Sequence, residues 1–439
     1  RIARVTPRRY NGPDARLTRG GTVTDTVRFV HAADVHLDAP FKGVDATDPR
    51  VKDALVSSTY AALDVLVGLC IEREVDFLVI AGDVYNAAER SLRAEFAVRE
   101  ACQRLADAGI RVYLAHGNHD PASARTAGLE MPPEVHVFSA TEVERVVFER
   151  DGEPVCALYG RSFRTAAETG NLALGFHRNP ADPLAVGVLH ANVGGRPGHE
   201  PYAPCSLDDL RAAGMDYWAL GHIHKPEVLS ERPAVVYAGC TQGLQPNESG
   251  MRGCRVVTLS ADGAETEFVP TASVVWERAD VSADDAEGVD DVRAALVAEI
   301  DRMGGETDGR PVVARFDLSG RSAAHADLAV PGALRDLLAE VRGEGLDRCP
   351  WVWVDRIKDH TRAAIDLDTL REGEDIAGDL VRLADGLAAD DESLATLVGE
   401  IAAPLLGALD RVDAPEVDAT AVLERARDLA LDRLLAGEE

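Results

Sequence analysis

Asp76-Phe77-Leu78-Val79-Ile80-Ala81-Gly82-Asp83 decides the fold. An unbroken apolar run this short, closed by Gly-Asp, reads as a strand buried on both faces. The aspartate beyond its end is costly beside a core unless it is paired, metal-bound or capping the next helix. On this piece alone those readings stay open. Working outward, Val27 to Val30 is a short strand, and residues 51–72 place Leu55, Leu63, Leu66 and Cys70 on one helical face. Residues 90–108 read as a second helix and Ile110 to Leu114 as another strand. Strands alternating with helices imply a sheet covered on its faces. Strand patterns follow at 142–162, 184–190, 216–220, 234–238, 253–259 and 265–270, with few long helices between them. The sum is an α/β sandwich built on two sheets.

Asp280 to Asp291 is acidic and reads as a linker. A helix (292–303), a strand (Val312 to Leu318), a helix (332–343) and a strand (Trp351 to Asp355) then make a small α+β unit. Residues 367–439 carry stripes such as Leu380, Leu383, Leu387 and Leu423, Ala426, Ala430, Leu434, which predict two or three amphipathic helices. Residues 1–25, with six Arg, two Asp and the breakers Gly12-Pro13 and Gly20-Gly21, read as a disordered basic leader outside the fold.

The 439 residues, 46% hydrophobic and 28% charged, suit a folded protein of two to four domains. Net charge is −29, of which −20 falls after residue 280. Such a balance argues against a dispersed basic nucleic-acid binder, which works by neutralising phosphates. A locally positive groove remains compatible with it. The seven cysteines contain no CxxC pair, which disfavours a zinc ribbon or disulfide framework and points to reduced, buried thiols. The sequence shows neither a transmembrane run nor a secretory signal, so the expected compartment is the cytoplasm, with no membrane partner.

Five pieces carry chemistry, each at or just past the C-terminal end of a predicted strand, where α/β folds place their sites. They are Asp34-Val35-His36, Gly82-Asp83, Gly117-Asn118-His119-Asp120, His190 and Gly221-His222-Ile223-His224. In an extended segment, residues i and i+2 point the same way, so Asp34 with His36, and His222 with His224, are expected to face one place. Each piece has a bland reading: an Asp helix cap, a structural His, surface imidazoles on a loop. All five in one chain weigh differently. Two Asp, one Asn and four His form a mixed N and O set that suits Mn, Fe or Zn better than Mg or Ca. Seven donors exceed one tetrahedral ion and suit two ions sharing a carboxylate.

These pieces resemble the calcineurin-like metallophosphoesterase signature DxH, GD, GNHD, H, GHxH over roughly residues 27–270. The flanking text, His31-Ala32-Ala33-Asp34-Val35-His36-Leu37-Asp38 and Leu114-Ala115-His116-Gly117-Asn118-His119-Asp120-Pro121, is similar to SbcD-like DNA repair exonucleases of the YhaO-like branch. The resemblance implies a four-layer α/β/β/α sandwich over 26–279, a small α+β capping domain over 280–366 and an acidic helical tail over 367–439. It implies one metal held by Asp34, His36, Asp83 and His224, and another by Asp83, Asn118, His190 and His222, manganese being favoured over iron or zinc. His119 would act beside the phosphate, with Asp120 orienting it. The implied activity is a DNA exonuclease, with endonuclease activity also open, that uses two-metal activation of water. Small phosphoesters as substrates, or a non-catalytic subunit of an SMC-like ATPase complex, are the alternatives. Implied partners are DNA, an SMC-like coiled-coil ATPase and a second copy of the chain. Some nuclease members carry a second His three residues after the bridging Asp, where this chain has Asn86. Arg161, Arg164 and Arg196 are candidate phosphate contacts on loops near the motifs.

Overall fold

The computed structural model describes residues 26–44, 46–86, 91–124, 129–196, 198, 200–284, 286–406 and 418–435. The basic leader expected over 1–25 lies outside them. In chain order the first elements are β1 (Val27–Ala32), α1 (Pro49–Glu72), β2 (Phe77–Ala81), α2 (Leu92–Asp107), β3 (Arg111–Ala115) and β4 (Val135–Val137). Then come β5 (Glu144–Arg150), β6 (Glu153–Arg161), β7 (Ala185–His190), α3 (Leu207–Ala212), β8 (Tyr217–Gly221), β9 (Glu227–Glu231), β10 (Ala234–Tyr237), β11 (Gly253–Ser260) and β12 (Gly263–Pro270). The rest are β13 (Val275–Ser282), α4 (Val289–Glu306), β14 (Val312–Ser322), α5 (His325–Leu328), α6 (Ala333–Leu346), β15 (Val352–Ala363), α7 (Leu367–Glu372), α8 (Ile376–Ala388), α9 (Asp391–Leu406) and α10 (Ala419–Leu435).

Contacts divide the chain into two units. One holds the described residues up to Pro40, Val56–Leu244 and Arg252–Ser273; the other holds Phe41–Leu55, Gln245–Met251 and the chain from Val274 on.

In the first unit, one sheet runs β12-β11-β1-β2-β3-β4 and the other β5-β6-β7-β8-β10-β9. The centre of each is parallel. Along β2, Phe77, Val79 and Ala81 point into the core shared by the two sheets. Leu78 and Ile80 point the other way, into the core beneath α1 and α2. The run is apolar throughout because both of its faces are covered, and each large side chain so buried contributes about 1.5–3 kcal/mol. Across the shared core Phe29 stacks on Phe77 at 4.9 Å and meets Tyr217 edge-on at 5.3 Å. Behind the second sheet, Leu210 of α3 packs with Trp218, Phe176 and Leu172. The layers are therefore α/β/β/α. Val79→Asp would place an unpaired carboxylate between the sheets and break this packing.

α1 is long and apolar enough to cross a membrane, with a mean hydropathy of 1.8, contrary to the expectation that no such run exists. The reason for its composition is visible: Leu63, Leu66, Val67 and Cys70 pack into the core beside the first sheet.

The second unit contains three parallel strands in the order β13-β14-β15. α4 and α6 cover one face through Leu296, Ile300, Leu337 and Val341. Asp280 to Ser282, read from the sequence as the start of a linker, belong to β13. Val281 drops into this core while Asp280 and Ser282 face out, a period-two pattern that the acidic composition masked. β14 and β15 likewise run past the apolar stretches that announced them. Six of the seven cysteines are buried, Cys349 is exposed, and none is bridged.

Candidate metal centre

All nine side chains singled out in the sequence belong to the first unit, at the C-terminal ends of parallel strands. Asp34 and His36 follow β1, Asp83 follows β2, Asn118, His119 and Asp120 follow β3, His190 ends β7, and His222 and His224 follow β8. Donor atoms lie within 4.8 Å of one another in each of three overlapping groups: Asp34, His36 and His224; His36, Asp83 and His119; Asp34, Asp83 and His190. His36 Nε2 is 3.1 Å from His224 Nε2 and 3.7 Å from Asp83. His190 Nε2 is 3.0 Å from Asn118 Oδ1 and 3.3 Å from Asp83. Two glycines permit this approach. A Cβ on Gly117 would sit 2.3 Å from Asp83 Oδ1, and one on Gly221 would sit 1.9 Å from the Ala81 carbonyl oxygen.

The convergence of Asp34 with His36 does not come from extended backbone, as the two-residue rule expects. Both are left-handed, with φ of 49° and 46°, as are Asp83 at 54° and His222 at 95°. Such conformations cost non-glycine residues on the order of 1 kcal/mol each or more. Hydrogen bonds hold them: the Asp34, His36 and Leu37 N–H groups donate to the carbonyls of Gly82, Asp83 and Val84 at 2.9–3.1 Å. The His222 N–H donates to the Asp34 carboxylate at 3.1 Å, and the His119 N–H to Asp83 at 2.8 Å.

Backbone carbonyls set ring orientation, because a carbonyl can only accept. His190 Nδ1 donates to the Ala81 oxygen at 2.9 Å, which leaves Nε2 facing Asp83 and Asn118. His222 Nε2 donates to the Glu200 oxygen at 2.8 Å, which leaves Nδ1 as its ligand nitrogen. Its ring is 5.2 Å from that of His190, outside the three close groups. An imidazole whose second nitrogen is tied to a carbonyl is a common arrangement around metals. Nothing in the sequence signalled Glu200, which lies ten residues past His190 on the connecting loop.

Asp120 does not orient His119. Its buried carboxylate accepts from the backbone N–H groups of Gly117 at 2.8 Å, Val84 at 2.9 Å and Asp83 at 3.2 Å, latching the loop after β3 to that after β2. The partner of His119 is Asn86, whose Oδ1 lies 2.9 Å from Nδ1. Of the candidate arginines, Arg196 is paired with Glu227 at 2.9 Å. Arg161 is half-buried with Nε unpartnered, and Arg164 is exposed.

Burial pushes Asp34 up to about 6, against the pull of His224 and His190. Burial also works to raise Asp83, but the charges of His190 and His36 outweigh it and hold it well below the usual range. His190 is opposed by burial, yet Asp83 pushes it up to about 9. Two imidazole nitrogens facing each other at 3.1 Å can share only one proton. A cation would engage both, together with the carboxylates beside them. The residues present thus fit divalent transition-metal ions.

The calcineurin-like phosphoesterase family matches residues 27–226, and the middle domain of metallophosphoesterase YhaO matches residues 276–362. A Bacillus subtilis (strain 168) protein described as uncharacterized metallophosphoesterase YhaO is 34% identical over 343 residues, 78% of this chain and 84% of its own. The chain belongs to the YhaO metallophosphoesterases. Membership makes it a phosphoester hydrolase working with divalent metal ions. More distant are two DNA double-strand break repair proteins named Mre11. That of Aeropyrum pernix is 27% identical over 55% of this chain and 60% of its own. That of Methanopyrus kandleri is 28% identical over 57% and 58%.

Proposed function

We propose that the protein is a DNA-processing phosphodiesterase, an exonuclease acting in DNA repair. The observation that carries this reading is the cluster of buried carboxylates and imidazoles at converging strand ends, in a chain related to both YhaO and Mre11 proteins. In it, Asp34, His36, Asp83 and His224 would hold one ion, and Asp83, Asn118, His190 and His222 would hold a second. Bound there, a pair of divalent ions supplies Lewis acidity and a nucleophilic water at neutral pH. The protein's own part is orientation. The Ala81 and Glu200 carbonyls fix which nitrogens of His190 and His222 face inward. His119, bonded through Nδ1 to Asn86, turns Nε2 toward the substrate phosphate, where it stabilises developing charge or protonates the departing oxygen.

The test is manganese-dependent cleavage of end-labelled single- and double-stranded DNA beside bis(p-nitrophenyl) phosphate. DNA degraded from its ends by wild type, with metal content and cleavage lost together in Asp83→Asn, supports the reading. Hydrolysis of p-nitrophenyl esters with intact DNA overturns it in favour of a small-phosphoester hydrolase.

A further inference from the structure

Two residues past His190, Asn192 is buried at 1% exposure. Its side chain makes two bonds. Oδ1 accepts from the Arg196 N–H at 2.8 Å, and Nδ2 donates to the Glu200 carbonyl oxygen at 3.2 Å. The amide takes only this orientation, because an N–H can only donate and a carbonyl can only accept. The Glu200 oxygen is the same atom that accepts from His222 Nε2 at 2.8 Å. It also accepts from the Tyr202 N–H at 2.8 Å, but that bond lies within the loop and travels with it. The Asn192 bond ties the oxygen to the end of β7.

The main chain around Asn192 is held independently of its side chain. The Tyr237 hydroxyl accepts from the Val193 N–H at 2.9 Å and donates to the Ala191 oxygen at 2.7 Å. The Asn192 N–H donates to the Tyr202 oxygen at 2.9 Å, and its carbonyl accepts from the Cys205 N–H at 3.3 Å. These bonds fix where the amide points. One short segment therefore orients two imidazoles: His190 as part of its own strand, and His222 through Asn192 and the Glu200 carbonyl. Without the amide the carbonyl is free to turn, and the His222 proton is no longer confined to Nε2. An imidazole nitrogen binds a metal only when it carries no proton.

We propose that Asn192 is a positioning residue for the second ion: it aims the Glu200 carbonyl, which keeps the His222 proton on Nε2 and leaves Nδ1 to bind. This rests on the proposed ligand set, in which His222 holds that ion. The experiment reads metal and tautomer in the full chain. Manganese is titrated into EDTA-stripped protein, and the stripped protein with isotope-labelled histidine is followed by NMR near pH 8, above the ordinary imidazole pKa of about 6.5. Wild type should bind two ions and show His222 protonated on Nε2. Asn192→Leu is similar in shape, keeps the main-chain bonds and loses both side-chain ones. It should bind one ion within about threefold of wild type and the other about tenfold to a hundredfold more weakly. Its His222 signals should move toward the Nδ1–H tautomer. Tyr237→Phe, which frees the residues on either side of Asn192, is the milder change and should move both readings the same way; it decides the matter where Asn192→Leu does not fold. Wild-type affinity and tautomer in Asn192→Leu overturn the proposal. So does equal weakening of both ions with the tautomer unchanged, the mark of a merely structural residue, and so does an Nδ1–H tautomer in wild type. A His222→Ala protein that still binds two ions defeats the ligand set instead, whatever Asn192→Leu does.

Discussion

His119 and Asp120 are adjacent in sequence and do different work. His119 bonds through Nδ1 to Asn86, while the Asp120 carboxylate collects three backbone N–H groups from two loops. His119→Ala should therefore slow turnover of bis(p-nitrophenyl) phosphate by on the order of 10²–10⁴ while metal content, read by elemental analysis, stays near wild type. Full turnover in that variant removes His119 from the chemistry. Asp120→Ala leaves three buried donors unsatisfied and should cost about 2–4 kcal/mol in urea unfolding, with metal lost as the loops separate. Asp120→Asn, which keeps one acceptor oxygen, should fall between. The sequence made these residues legible as a group because strand ends and metal-ligand residue types coincided. It did not assign their partners, since Asn86 and Asp120 differ only in which loop each carbonyl or carboxylate reaches across three dimensions. The left-handed turns at Asp34, His36 and Asp83 were equally hidden, because only the bonds between the loops stabilise them.

At the scale of the strand, β1 shows how the two sheets are locked together. His31 is buried in it, with Nε2 3.2 Å from the Leu220 oxygen and Nδ1 3.0 Å from the Tyr217 hydroxyl. The carbonyl accepts, so Nε2 carries the proton and Nδ1 accepts from Tyr217: the ring is neutral. Burial pushes its pKa down to about 3. In the unfolded chain the same ring titrates near 6.5. Between those values the unfolded state binds the extra proton, so stability is full above about pH 6.5 and declines as pH falls toward 3. The share from this group is on the order of 1 kcal/mol per pH unit within the window. His31→Gln should flatten that part of the stability–pH curve, measured by urea titration from pH 4 to 7; an unchanged slope would mean that the ring charges in place. Strands such as β1 and β2 were readable because both of their faces are buried. β13 was missed because its outward positions, Arg278, Asp280 and Ser282, are polar and exposed, and α1 has a composition that would also suit a membrane span because its apolar residues serve a core.

At the scale of the whole molecule, a net charge of −29 sets a long-range field that repels nucleic acid, and screening shortens its reach to about 10 Å at 0.1 M salt. The excess of carboxylates is balanced locally in the second unit, where one carboxylate of α10 sits among arginines. Asp428 is buried against Arg321, Arg362 and Arg427. Burial would raise its carboxyl, but the hydrogen bonds and charges of Arg321 and Arg427 hold it below the usual range. The contribution of this group to holding α10 is therefore complete above the unfolded carboxyl pKa of about 3.9. It is lost as pH falls through the lower folded value. At neutral pH Asp428, with Asp432 3.6 Å from Arg321, offsets part of the positive charge of these arginines. Asp428→Asn removes that charge with little change in volume and takes from Arg362 and Arg427 their carboxylate partner. The variant should lose about 1.5–3 kcal/mol in urea unfolding at pH 7. Amide exchange over residues 419–435 should rise at the same time. Lost stability without faster exchange would mean that Leu431, packed with Ala377 and Val381, holds the helix by itself. Unchanged stability and unchanged exchange would mean that the arginines contribute nothing to docking the helix.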